Sequence, residues 1–170
     1  DLRKVLASHG VLGTVVEWFA RVDDSPNAGD PYDDPTNYRK YALASVTTHD
    51  LPPTAGYLQF EHVQLRERLH LLTESVESFQ ASATAERQAM LNRLRTLGLI
   101  SDEEADDADS HIPQIVEAMH AMLRKSPSLL IQAALVDGVG ERRTQNQPGT
   151  SDQYPNWRIP LADEHGRVVH

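Results

Sequence analysis

Cysteine is absent, which excludes disulfide stapling, thiolate nucleophiles and thiolate-ligated metals. Long hydrophobic runs are missing as well. No stretch of the chain approaches the roughly 20 apolar residues that a membrane-spanning helix needs, and no basic segment followed by an apolar run opens it. Positive charge is scarce: Lys+Arg 16 against Asp+Glu 25 leaves a net charge of −9 over 170 residues. That balance makes nucleic acid and anionic membranes poor partners, whereas a neutral sugar or peptide meets no such penalty. The lack of cysteine fits a reducing, cytoplasmic location.

Several catalytic signatures are also missing. There is no P-loop, no dinucleotide fingerprint and no Gly-x-Ser-x-Gly elbow. His62, His70, His111 and His120 never take the His-Glu-x-x-His spacing of a helical zinc site. The acidic run Asp102, Glu103, Glu104, Asp106, Asp107 and Asp109 lacks the glycine and final glutamate of a calcium loop. It reads instead as a solvated helix with negative charge near its amino end. No metal or other cofactor is called for.

What is present suits one folded domain. The hydrophobic fraction is 39%, with Pro 10 and Gly 9 near average. The start at Asp1, without Met, suggests a piece of a longer protein. Residues 11–19 read as a strand, 20–39 as a long polar loop, and Tyr41 to Val46 as a short strand buried on both faces. Leu65, Leu69, Leu72, Val76 and Phe79 then form one apolar stripe over 58–79. Met90, Leu91, Leu94 and Leu97 mark a second helix that stops near Gly98. Ser101 and Glu104 have capping-box spacing, and Ile112, Ile115, Val116, Met119 and Leu123 mark a further helix ending before Pro127. The apolar run 129–136 reads as a buried strand. Long helical connections suit parallel strands, so the order points to the closing part of a larger α/β barrel.

Two polar constellations follow strands. Thr47-Thr48-His49-Asp50-Leu51-Pro52-Pro53 leaves the second strand at the carboxyl end, where barrels place ligands. Asp50 can accept hydrogen bonds from vicinal hydroxyls or oppose developing positive charge, and His49 can donate to a hydroxyl. On spacing alone, the simpler account is a turn-capping Asp50 and a His49 within a buried polar network. The second constellation is Gln145-Asn146-Gln147-Pro148-Gly149-Thr150-Ser151-Asp152, followed by Tyr154-Pro155-Asn156-Trp157-Arg158. Its amides suit sugar hydroxyls and its aromatics offer flat apolar faces. The plainer account is a Pro-Gly turn, a packed tryptophan and surface amides. Trp18 reads as core, and Tyr57, just behind the His-Asp pair, as an exposed aromatic able to meet a sugar.

Read together, Gly10-Val11-Leu12-Gly13-Thr14, Ala44-Ser45-Val46-Thr47-Thr48-His49-Asp50-Leu51-Pro52, Ala55-Gly56-Tyr57, Asn146-Gln147-Pro148-Gly149-Thr150 and Tyr154-Pro155-Asn156-Trp157-Arg158 resemble consecutive blocks of the amylomaltase (4-alpha-glucanotransferase) family. The resemblance covers nearly the whole chain in the expected order. It implies the carboxyl-terminal segment of a (β/α)8 barrel, with strands near 11–19, 42–47 and 129–136 and a helical excursion over 58–125. It implies transfer of alpha-1,4-glucan segments between maltooligosaccharides with retention of configuration. Asp50 matches the transition-state stabiliser and His49 the neighbouring sugar-contacting histidine. Asn146, Pro148 and Gly149 match a loop bordering the donor site. The nucleophile and the acid/base match no residue here.

Glu17 sits within the first strand block and reads as a supporting polar contact or a buried, satisfied group, not as that acid. Val15 stands where many relatives have Arg, Pro53-Thr54 where Thr-Leu is commoner, and Gln147 where Leu is frequent. These departures bear on chain-length preference and leave Asp50 and His49 in place. The implied partners are maltooligosaccharides, alpha-1,4-glucans and the remainder of the barrel, without which the 170 residues are expected to be inactive. A noncatalytic carbohydrate-binding or structural module and a related alpha-glucan hydrolase are the competing readings.

Overall fold

A left-handed residue, often glycine, follows several of this chain's helices and marks where each stops. The computed structural model describes residues 2–25 and 30–170. A short helix, α1 (Leu2–Ser8), closes where Gly10 turns left-handed (φ 69) and sends its N–H to Ala7 O, while Val11 N–H reaches back to Leu6 O. This paired closure satisfies the carbonyls that a helix end leaves free. No element was expected ahead of the strand read over 11–19, so α1 is an addition to the sequence reading.

β1 (Gly13–Val16), β2 (Ala42–Ser45) and β3 (Leu130–Gln132) form a parallel sheet in the order β1-β2-β3. Gly13 pairs with Ala42 and Val16 with Ser45, while Leu43 pairs with Leu130 and Ser45 with Gln132. Parallel neighbours need crossovers. Between β1 and β2 the crossover is a chain of short turns within the expected polar loop, of which 26–29 lie outside the described residues. Between β2 and β3 run α2 (Thr54–Leu58), α3 (Glu61–Arg68), α4 (Val76–Thr96), α5 (Asp102–Asp106) and α6 (Ile112–Leu123). After β3 comes α7 (Leu135–Gly138).

The strands are shorter than their apolar runs. Residues Glu17–Phe19 form a 3-10 turn instead of extending β1, burying Glu17 and Trp18 and exposing Phe19. The run 129–136 yields three strand residues before turning into α7, and Leu129, Leu130 and Ile131 are about half exposed, not buried. Among the described residues, no strand pairs with the outer edge of β1 or β3. The core lies on one side of the sheet. Ala42, Ala44 and Val46 are small enough to let α6 approach, and Met90, Leu94, Ile115, Met119, Met122 and Leu123 are fully buried behind them. Each such side chain contributes roughly 1.5–3 kcal/mol through burial.

The stripe over 58–79 is not one helix. Phe60 (φ 61) and His70 (φ 56) adopt left-handed backbones and divide it into α2, α3 and the start of α4. At His70 the closure is the same as at Gly10: His70 N–H to Glu67 O and Leu71 N–H to Arg66 O. The second helix ends at Gly98 (φ 68) as its sequence indicates, the Ser101–Glu104 capping box forms, and α6 matches its stripe. None of the described helices is long and apolar enough to cross a membrane.

Helix α2 is held close to a later segment. A Cβ at Gly56 would fall far inside contact distance of the Arg142 carbonyl oxygen. That neighbour is backbone and cannot swing aside. Gly56→Ala is expected to lower stability by about 1–3 kcal/mol, read as an earlier unfolding midpoint in denaturant. An unchanged midpoint would show that the two segments are not in contact.

An aromatic ladder runs beneath α2. Trp18 stacks on Tyr57 with centroids 4.0 Å apart, Tyr57 stacks on His62 at 4.3 Å, and Phe79 meets His62 edge-on at 5.9 Å. Burial, aided by the Arg66 charge, pushes the His62 pKa down from 6.5 to about 4. The folded state therefore binds fewer protons than the unfolded chain between those values, so this group's contribution is intact above pH 6.5 and is lost as pH falls toward 4. The slope approaches about 1.4 kcal/mol per pH unit. Unfolding free energies of wild type and His62→Gln, compared at pH 4.5, 5.5 and 6.5, should differ in pH dependence by that sense; parallel curves would contradict it.

Candidate active-site cleft

The turn after β2 is built by threonines. Thr47 is buried and its hydroxyl donates to Pro52 O at 2.9 Å, while Asp50 N–H donates to Thr48 Oγ1 at 3.3 Å. The chain is thereby folded back so that His49 and Asp50 project outward, their side chains 62% and 49% exposed. His49 thus belongs to no buried network. Beyond Pro52 and Pro53, Thr54 opens α2 and donates through its N–H (2.7 Å) and hydroxyl (2.8 Å) to the two oxygens of Asp137 on α7. The His120 Nε2 lies 3.4 Å from the same carboxylate. This clamp ties the segment after β2 to the segment after β3.

A second buried carboxylate sets the course of the following chain. Glu141 accepts from the N–H groups of Arg142, Arg143 and Ala162 and from the Arg143 guanidinium. Burial opposes its ionisation, but those donors together hold its pKa below the usual carboxylate value. Tyr154 OH donates to Thr144 O at 2.6 Å. Asn156 then knits the Pro-Gly turn: its Oδ1 accepts from Gln147 N–H at 2.7 Å and its Nδ2 donates to Thr150 Oγ1 at 2.9 Å. Gly149 (φ 84) takes the left-handed position in that turn.

These supports bring Asn146 over the first constellation. Its Nδ2 donates to Asp50 Oδ1 at 2.6 Å, a contact between residues 96 apart in sequence. The other carboxylate oxygen lies 3.4 Å from His49 Nε2. Asp50, His49 and Asn146 therefore form one cluster. Pro148 and Gly149 are exposed in the turn that follows Asn146, and neither lines the cleft bounded by His49 and Trp157. Tyr57 does not join the cluster, and the expectation of an exposed aromatic there is corrected. Its ring is covered by Trp18 and His62, and its hydroxyl donates to Glu86. Burial and the Glu86 carboxylate push its pKa upward, so it stays a neutral donor.

The aromatic at the cluster is Trp157, for which the sequence offered a flat face for a sugar and, as the plainer account, a packed side chain. It is 64% exposed, with its ring 5.3 Å from that of His49. Its backbone is left-handed (φ 62) and its N–H donates to Gln145 O at 2.9 Å. Such a conformation costs a non-glycine residue about 1–2 kcal/mol. Trp157 and His49 line a cleft of about 300 Å³ together with Thr47, Thr48, Leu51, Pro53, Gln132, Leu135, Val136 and Gln145. Gln145 belongs to the amides matched to sugar hydroxyls in the sequence, whereas Gln132 was missed as a site residue. Gln132 lies inside the run 129–136, which was read only as apolar, and it is the last residue of β3. A larger hollow of about 660 Å³ runs along the open edge of β1 and contains none of the cluster. Among the described residues, no three His, Asp or Glu side chains are grouped to hold a metal ion.

Glu17 has a different position. It is fully buried, accepts from Tyr38 OH at 2.7 Å and pairs with Arg93 of α4. Burial pushes its pKa up while the Arg93 charge pulls it back. It is a satisfied structural carboxylate, with no path to a substrate in the cleft.

Comparison with known proteins shows what the chain as a whole is similar to. A 4-alpha-glucanotransferase of Mycobacterium tuberculosis is 48% identical over 168 residues, covering 99% of this chain and 22% of that protein. One from Haemophilus influenzae is 28% identical over 130 residues, covering 75% of this chain and 19% of that protein. The crystal structure of amylomaltase from Corynebacterium glutamicum matches with a TM-score of 0.89 and 38% identity, over 99% of this chain and 24% of the other. The chain thus spans about a fifth of the length of the mycobacterial relative. A family model described as 4-alpha-glucanotransferase matches residues 1–164, and the chain belongs to that family.

Proposed function

We propose that this chain is the carboxyl-terminal part of the catalytic (β/α)8 barrel of a 4-alpha-glucanotransferase. The intact protein would move alpha-1,4-glucan segments between maltooligosaccharides by a retaining double displacement, with Asp50 stabilising the transition state. The observation that carries this is the Asp50–Asn146 contact: an exposed carboxylate, fixed by an amide from a distant loop, at the carboxyl ends of parallel strands. Membership of the family supports it.

A retaining mechanism needs two carboxyl groups about 5–5.5 Å apart across the sugar, one nucleophile and one acid/base. In this reading both come from outside these 170 residues, and Asp50 is neither. Its fixed charge would face the ring as positive, oxocarbenium-like character grows, while its free lone pairs accept from sugar hydroxyls. His49 would donate to a hydroxyl of the same unit, and Asn146 would hold the carboxylate in register. The half-exposed apolar side chains of Leu129, Leu130 and Ile131 support a sheet that continues into further barrel strands. Transfer in place of hydrolysis requires the acceptor sugar to outcompete water at the glycosyl-enzyme stage. A cysteine-free chain suits a cytoplasmic enzyme.

Asp50→Asn in the full-length protein is the direct test. The amide keeps the size of the carboxylate, and its oxygen can still accept from Asn146, but the negative charge is gone. Turnover in maltotriose disproportionation should fall about 10²–10³-fold, with melting temperature and oligosaccharide affinity close to wild type. A stable, sugar-binding variant that transfers at the wild-type rate would eliminate the assigned role.

A further inference from the structure

The exposed indole of Trp157 has no part in the catalytic roles given to Asp50, His49 and Asn146, yet its setting is constructed. Its left-handed backbone (φ 62) is uncommon for a bulky residue. That conformation is held by the hydrogen bond to Gln145 O and flanked by Asn156, whose amide closes the turn over 147–151. Strain supported in this way is characteristic of sites that position a group for use. Phe19 and Tyr41 are comparably exposed, but neither faces this cleft.

The lining of the cleft narrows the ligand class. His49 is its one ionisable side chain among the described residues; the others are the amides of Gln132 and Gln145, the hydroxyls of Thr47 and Thr48, and apolar groups including Leu51, Leu135 and Val136. Such a wall offers nothing to neutralise a phosphate or a carboxylate strongly, so the ligand it suits is neutral. A glucosyl ring has an apolar face of C–H groups surrounded by hydroxyls. The flat indole matches that face, and the amides and hydroxyls match the rim. The tilt of 38° between the Trp157 and His49 rings keeps them from closing face to face.

We propose that Trp157 is a sugar-contact residue whose indole stacks on a glucosyl unit of the glucan chain, next to the unit addressed by Asp50 and His49. The inference rests on the glucanotransferase reading and adds a determinant of chain binding to it. Because the contact lies away from the reacting bond, it acts on binding more than on chemistry, and glucans long enough to reach it feel its loss most.

The test uses the full-length protein as wild type, Trp157→Ala, Trp157→Phe and Asp50→Asn, with maltotriose and maltoheptaose as substrates. Trp157→Ala is expected to raise the KM for maltoheptaose about tenfold, with a smaller change in kcat and an unchanged melting temperature. Trp157→Phe should recover much of the affinity. The indole fluorescence change on adding maltoheptaose to wild type should shrink in Trp157→Phe. An unaltered KM in Trp157→Ala overturns the proposal, and a lowered melting temperature with unaltered KM does so by assigning the indole to packing. Where Asp50→Asn abolishes transfer and Trp157→Ala leaves KM alone, this inference fails and the broader reading stands. Where Asp50→Asn stays active and Trp157→Ala raises KM, the stacking role stands and the catalytic assignment fails.

Discussion

Parallel strands place the ends of β2 and β3 side by side, and a hydrogen bond between the loops that leave them, Asn146 to Asp50 at 2.6 Å, fixes the orientation of the exposed carboxylate. A set of buried polar contacts holds each end of that hydrogen bond. On the Asp50 side, buried threonine and proline residues fold the turn back against α2. On the Asn146 side, Glu141 gathers backbone donors from both flanks, and Asn156 closes the Pro-Gly turn. Between the two, Asp137 takes both donors of Thr54, and Gly56 lets α2 lie against the Arg142 backbone. Each buried carboxylate here is matched by several donors, the condition under which an interior charge is tolerated.

The same logic explains the helical crossover. Helix α4 brings Arg93 to Glu17 and Tyr38, and Glu86 to Arg21 and Tyr57. These polar contacts register a 21-residue helix against the turn after β1. Apolar packing alone is less directional. Removing one partner of the Glu17–Arg93 pair would leave a desolvated charge, which is far more damaging than never having had the pair. Glu17 therefore serves the scaffold, which leaves the exposed carboxylate of Asp50 as the cluster's chemical group.

Much of this was legible in the sequence where local chemistry and tertiary structure agree. Gly98 announced the end of α4, Ser101 and Glu104 announced a capping box, and the α6 stripe announced its buried face. His70 closes α3 by the same paired hydrogen bonds as Gly98 closes α4, but histidine carries no signal for a left-handed backbone, so one helix was read where three elements exist. The β3 run was long enough for a buried strand, yet its side chains lack cover among the described residues, and only Leu130–Gln132 pair. Tyr57 is covered where an exposed aromatic was expected, and Trp157 takes the exposed of its two readings and not the packed one. Sequence proximity placed Tyr57 near the His-Asp turn, but a helical rotation at α2 points its ring at Trp18 and His62. Trp157 stands far away in sequence and is delivered by a loop whose path depends on Glu141 and Asn156. The order of the polar blocks was readable; the contact between Asp50 and Asn146 followed only from the fold.

The most direct test of the central claim, that the two loops together form a sugar site organised around Asp50, is a crystal structure of the full-length protein with a bound maltooligosaccharide. The account predicts sugar hydroxyls within about 3.2 Å of the Asp50 carboxylate, with the Asn146 hydrogen bond to its other oxygen retained. A glucan bound elsewhere, with Asp50 and Asn146 turned away from each other, would contradict it.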